Sequence, residues 1–132
     1  VEGGLPGNQH RPVDKHNYSL LMAEFRSQLD ELSKTTGRPY LLSIASVADP
    51  VKFGNNMELD QLSQSVDYFN IMAYDFHGAW DNTTNFHAPL YASPDDPSSN
   101  ITVRTKFNAD QAVQGFLSKG VPAEKIVLGI PF

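Results

Sequence analysis

FNIMAYDFHGAWD, residues 69–81, is the stretch on which the fold of this chain turns. Its first six residues read as a strand, in which successive side chains point to opposite faces. Asn70, Met72 and Tyr74 therefore share one face, and Phe69, Ile71 and Ala73 share the other. The second face is plain apolar packing. The first carries an amide, a thioether and a phenol. Asp75, His77, Asp81 and the only tryptophan of the chain, Trp80, follow at once. A strand end with that chemistry looks into a ligand site.

On either side, helical and strand patterns alternate. Residues 1–14 are rich in glycine and proline and read as a loop, and Asp14 stands where an N-cap belongs. Tyr18, Leu21, Met22, Phe25, Leu29 and Leu32 recur at helical spacing, predicting a helix over 15–34 that Gly37 ends. YLLSIAS, residues 40–46, is a nearly continuous apolar run, as expected of a strand covered on both faces. Leu59, Leu62 and Val66 suggest a short helix near 57–65, and the strand over 67–74 comes next. Residues 75–107 are mostly polar and too long for a plain connector. Asn108 caps a helix to about Ser118, with Ala112, Val113, Phe116 and Leu117 inward and Gly120 stopping it. Residues 126–130, IVLGI, form a further buried strand.

This order predicts an α/β fold of βαβ units with a parallel sheet. Both a doubly wound sheet and a (β/α)8 barrel fit it. Two features favour the barrel. The long segments, 1–14 and 75–107, lie on the side of strand C-termini, where barrels elaborate their loops, whereas the connections near Gly37 and Gly120 are short. No Gly-rich phosphate turn follows a strand, since GGLPG near residue 3 has the wrong spacing and a proline.

Composition narrows the function classes. The 132 residues suffice for one modest domain; 40% are hydrophobic and 19% charged, which is globular. A net charge of −5 without a basic cluster argues against a nucleic-acid surface. The apolar runs fall far short of the roughly 20 residues of a membrane span. With no cysteine there are no disulfides or thiolate metal sites. The chain starts at Val1 rather than methionine, which suggests that it is cut from something longer.

Taken alone, Tyr74 reads as a core tyrosine and Met72 as core filler, while Asp75 reads equally as a cap or turn residue. His77 and His87, with Asp75 and Asp81 nearby, invite a metal reading, but isolated loop histidines are common and no metal is expected. His10 and His16 read as solvated. Asn17, Asn82 and Asn100 head glycosylation sequons that matter only in a glycosylating host.

IMAYDFHGAWD resembles the sixth-strand motif of the family 18 glycoside hydrolases, the chitinases, in which Met-x-Tyr-Asp is followed by Gly and an aromatic. Other segments match in order. VEGGLPGN with the following helix is similar to the loop and helix after the fourth strand, and YLLSIAS to the fifth strand. NFHAPLY resembles the loop after the sixth, and KIVLGIPF the seventh. The resemblance spans all 132 residues and is nearest to secreted bacterial chitinases. It implies a partial (β/α)8 TIM barrel, from the loop after strand 4 through strand 7, with residues 1–132 as part of the catalytic domain. The family signature Asp-x-x-Asp-x-Asp-x-Glu on the fourth strand does not occur in this chain. Glu2, in a glycine loop, does not replace it.

The resemblance implies substrate-assisted hydrolysis of β-1,4-linked N-acetylglucosamine, with the general-acid glutamate outside this chain. It implies that Tyr74 and Asp75 are catalytic, contacting the 2-acetamido group and its sugar as positive charge develops. Met72 would line the pocket floor, Ala45 would leave room for the acetamido methyl, and Trp80 would stack on a sugar. No cofactor is implied; the expected partner is chitin or a chito-oligosaccharide, and the expected full-length protein is a secreted monomer. Isolated, the 132 residues are expected to be inactive and poorly folded. Other readings are a chitin-binding protein of the same fold without activity, a related peptidoglycan or N-glycan hydrolase, and an unrelated α/β binding domain.

Overall fold

The computed structural model of the chain describes residues 6–132. Glu2 and the start of the glycine loop lie outside the described residues. Helix α1 (Asp14–Thr36) precedes strand β1 (Ser43–Val47), and helices α2 (Pro50–Asn56) and α3 (Leu59–Ser65) lead to β2 (Tyr68–Met72). After a long loop, α4 (Ile101–Lys106), α5 (Ala109–Ser118) and a short 3-10 turn deliver β3 (Ile126–Leu128). The three strands are parallel in the order β1-β2-β3, as the alternation predicts.

The core lies on one face of this sheet. Ile44 and Ser46 of β1 and Phe69, Ile71 and Ala73 of β2 and its extension are buried under the helices. Phe116 of α5 meets Phe69 and Phe53 of α2 edge-on, with ring centroids 5.5 and 4.7 Å apart. Such edge-to-face pairs add to the burial energy of the rings. Gly115 makes the contact possible, since a β-carbon there would collide with the Phe53 ring.

The other face is open. Ser43, Ala45 and Val47 of β1 are exposed, so the strand alternates and is not covered on both faces as the apolar run suggests. Cα partners across the ladders are Ala45 with Asn70, Val47 with Met72, and Asn70 with Val127. Directly paired residues share a face, so Asn70, Met72, Ala45, Val47 and Val127 form one surface.

Several boundaries differ from expectation. Asp14 is the first helical residue, not the cap; its carboxylate turns back to accept from the Arg11 amide and guanidinium, each at 2.8 Å. Gly37 does end α1, at φ +69°. A helix not read from the sequence precedes the one expected near 57–65: Asp49 caps α2, accepting from the Val51 and Lys52 amides, with Pro50 as first helical residue. Asn100 likewise caps α4 inside the long loop. Asn108 caps α5 by accepting from the Gln111 amide, but Leu117 faces outward at 37% exposure while Ala112 and Phe116 are buried. On α1, Leu21, Phe25 and Leu32 are exposed and Met22 alone of the apolar stripe is fully buried.

Candidate active site at the end of β2

The ladder stops at Met72 because the chain turns there. The Ala73 amide donates to the Ile71 carbonyl at 2.9 Å, and that oxygen also accepts from Gly129 at 2.8 Å. Two donors on one carbonyl anchor the end of β2 to the segment after β3. Tyr74 is half-buried against Gly129: a β-carbon at 129 would lie 2.7 Å from the Ile71 oxygen and 2.9 Å from Tyr74 Cε1. Only hydrogen fits between the carbonyl and the phenol. Gly129→Ala is therefore expected to destabilise the protein by about 1–3 kcal/mol, as overpacking does. Thermal unfolding checks it, and an unchanged Tm would mean that the tyrosine ring moves aside freely.

Asp75 follows in the left-handed region at φ +56°, the one positive-φ residue other than glycine among the described residues. Aspartate tolerates this region better than most side chains. Its carboxylate Oδ1 lies 3.1 Å from His87 Nε2, and its amide donates to the same nitrogen at 3.3 Å. The Phe76 amide donates to the His87 carbonyl at 3.0 Å.

Met72, Tyr74 and Asp75 line one cavity of about 220 Å³. Val47, Asp49 and Lys52 from the end of β1 and the start of α2 line it too, with Phe76 and Phe107. The cavity thus lies where two parallel strands end, bounded by a phenol, two carboxylates, an ammonium and a thioether. A larger recess of about 370 Å³ lies within the long loop, between Asn85 and Phe107, and holds none of these strand-end groups.

Ala45 and Trp80 stand outside that cavity. Ala45 is on the open face of β1, two residues before Val47 and exposed. Trp80 sits in a turn over residues 78–81, closed by the Asp81 amide on the Gly78 carbonyl at 3.0 Å and by the Gly78 amide on Asp81 Oδ2 at 3.0 Å. Its indole is 65% exposed and lies over Gly78, where a β-carbon would come within 2.5 Å of the ring.

His77 is buried beneath that turn. Its Nδ1 is 3.4 Å from Asp81 Oδ2, and its Nε2 is 3.3 Å from Asn85 Nδ2 and 3.9 Å from Asp96 Oδ2. Burial pushes the Asp96 carboxyl up, but the Ser98 amide, the Asn85 side chain, His77 and Arg104 together hold it below the usual carboxylate range. His77 thus ties the loop to itself. Among the described residues, no group of three or more His, Asp or Glu side chains could hold a metal ion.

Sequence reasoning singles out Met72, Tyr74 and Asp75, and the structure brings those three together. Sequence reasoning misses Asp49 and Lys52, and it groups His87 with Asp75 only as a metal reading. The Asp49-Pro50 pair is a helix-start signal that would have placed the first two at the end of β1. His87 lies twelve residues from Asp75, and nothing in the spacing says that the pair meets through a backbone amide.

A family model described as "Glycosyl hydrolases family 18" matches residues 4–132. The chain is 44% identical to chitinase A1 of Niallia circulans over 132 residues, which is all of this chain and 19% of that protein. Among solved structures it is similar to chitinase ChiA74 from Bacillus thuringiensis, with a TM-score of 0.88 and 42% identity over 97% of this chain and 20% of that one. It is also similar to catalytic domain 2 of the Ostrinia furnacalis Group II chitinase, solved as a mutant in complex with (NAG)5, with a TM-score of 0.79 and 30% identity over 94% of this chain and 29% of that one. The chain spans about a fifth of the length of the curated relative. Among the described residues, no helix is long and apolar enough to cross a membrane.

Proposed function

The chain belongs to glycosyl hydrolase family 18, and from that premise we propose that it forms one wall of the N-acetylglucosamine site of a chitinase. The three parallel strands are part of the (β/α)8 barrel of that family. In our reading, residues 1–132 belong to its catalytic domain, and the general acid comes from a strand outside these residues. This chain supplies positioning and charge stabilisation and no proton donor.

The observation that carries the reading is the convergence of Tyr74, Asp75 and Met72 on one cavity at the strand ends. Hydrolysis assisted by the substrate passes through a cationic oxazolinium formed when the 2-acetamido oxygen attacks the anomeric carbon. The Tyr74 hydroxyl donates to that acetamido oxygen and orients it for attack. The Asp75 carboxylate faces the positive charge that develops on the same sugar. Met72 forms a polarisable floor, and Ala45, without side-chain bulk, leaves space beside the acetamido methyl.

Trp80 offers an aromatic plane to a sugar further along the chain. Gly78→Ala would lift the indole from its seat, so in the full-length protein it is expected to raise KM for long oligosaccharides about fivefold with little change in kcat. Steady-state kinetics on oligosaccharides of two lengths would test this, and equal effects on both lengths would remove Trp80 from the substrate path.

The parent protein, in this reading, is a secreted monomer acting on chitin or chito-oligosaccharides without a cofactor. Turnover by the full-length protein, compared among chito-oligosaccharides, peptidoglycan and N-glycans, tests the assignment. Preferred cleavage of the chito-oligosaccharides is expected. Tight binding without cleavage would make it a chitin-binding protein of the same fold, and preferred cleavage of another glycan would replace the substrate.

A further inference from the structure

Asp75 combines three properties that do not sustain one another. Its backbone is left-handed at φ +56°, its side chain is 63% exposed, and its carboxylate must keep one direction if it is to face a sugar. An exposed aspartate in an uncommon conformation relaxes unless something outside its own turn over-determines it. Among the described residues, His87 Nε2 lies against both the Asp75 carboxylate and the Asp75 backbone amide.

The contacts are of three kinds. His87 Nε2 lies 3.1 Å from Asp75 Oδ1 and 3.3 Å from the Asp75 amide nitrogen, and the His87 carbonyl accepts from Phe76 at 3.0 Å. One nitrogen cannot serve both Asp75 groups at once. Unprotonated, Nε2 accepts from the amide and fixes the left-handed backbone. Protonated, as the neutral tautomer or as imidazolium, it donates to Oδ1 and fixes the carboxylate. Residue 75 is held in either state, and the carbonyl contact to Phe76 persists in both.

We propose that His87 is the positioning residue of this site, holding residue 75 through its backbone amide in one tautomer or through its carboxylate in the other, and so keeping that carboxylate directed toward the substrate. The proposal rests on the reading of Asp75 as a substrate-facing carboxylate. His87 itself lines none of the cavity that Met72, Tyr74, Asp75, Asp49 and Lys52 share, so it acts through Asp75. Histidine–carboxylate pairs of this kind orient a working group without touching what it works on.

The test uses the full-length protein and a soluble chito-oligosaccharide. His87→Ala is expected to lower kcat about tenfold with KM nearly unchanged, which marks a misplaced reacting group and leaves substrate affinity intact. His87→Gln, whose terminal amide can reach the place of Nε2, is expected to restore most of that rate. His87→Asn, which reaches only the place of Nδ1, is not. This comparison of two amides stands even where the alanine variant fails to fold. In an Asp75→Gly background, where the left-handed backbone is relaxed and the carboxylate gone, His87→Ala is expected to cost less than about twofold more.

Equal rates for the glutamine and asparagine variants, or a full tenfold further loss in the glycine background, would overturn the proposal. An impaired Asp75→Gly alongside an unimpaired His87→Ala would overturn it alone. A fully active Asp75→Gly would overturn the role of Asp75 as well.

Discussion

Tyr74→Phe in the full-length protein is expected to lower kcat on chito-oligosaccharides by about 100-fold, the cost of losing the group that orients the acetamido oxygen toward the anomeric carbon. The substitution takes away one oxygen and leaves the ring, which keeps its contact with Gly129 and its place beside Met72 and Asp75. Stability should therefore change little, and KM should move far less than kcat, because the donor matters most when the acetamido oxygen turns on the anomeric carbon. Single-turnover kinetics with a fluorogenic oligosaccharide separates chemistry from release. A kcat within threefold of the parent would remove the hydroxyl from the reaction and leave Tyr74 as a packed ring.

The second large effect concerns the 132 residues by themselves. Val47, Val127, Leu128 and Ile130 are exposed on or beside the sheet at 39, 42, 38 and 62%. Leu20, Leu21 and Phe25 of α1 are exposed as well. Among the described residues β1 and β3 each pair on one side only, leaving a row of open backbone groups. In a closed barrel the neighbouring strands pair those edges and inward side chains fill the open face. The isolated chain is accordingly expected to show no cooperative thermal transition and no turnover of chito-oligosaccharides. Calorimetry and a prolonged hydrolysis assay measure both. A sharp transition would show that one helix-covered face suffices for folding, and any turnover inherent to the chain would place a proton donor within it.

Why some of this could be read from sequence, and some not, follows from the range of the interactions. The polar face of β2 is visible because strand periodicity is local: Asn70, Met72 and Tyr74 alternate with Phe69, Ile71 and Ala73 whatever surrounds them. The stop at Gly37 and the cap at Asn108 are equally local, each needing one turn of chain. The cap at Asp49 is as local and simply passes unnoticed beside the stronger apolar pattern that follows it.

Apolar content alone does not tell which face of β1 these residues cover, since Ala45 and Val47 are apolar yet stand on the face that is open within these 132 residues. Which face of a strand is covered depends on its partners. The left-handed turn at Asp75 and its clamp by His87 are hidden for a different reason. Aspartate occupies both halves of the φ range without a sequence mark, and the clamp is closed by a loop whose path nothing local dictates. The same holds for Gly129, whose missing side chain makes room for Tyr74 across the sheet, and for Gly78 beneath Trp80. A glycine reports a close approach without saying what approaches.

Tyr74 and Asp75, in this reading, serve a reaction in which the substrate's own acetamido group is the nucleophile. The most direct measurement compares two soluble oligosaccharides of equal length with the full-length protein, one fully N-acetylated and one de-N-acetylated only at the sugar on the non-reducing side of the cleaved bond. Cleavage of the first is expected, with loss of cleavage at that bond in the second by at least about 1,000-fold, since an intramolecular nucleophile of high effective concentration is removed. Cleavage of both at similar rates would contradict this reading, because the nucleophile would then have to come from the protein or from water.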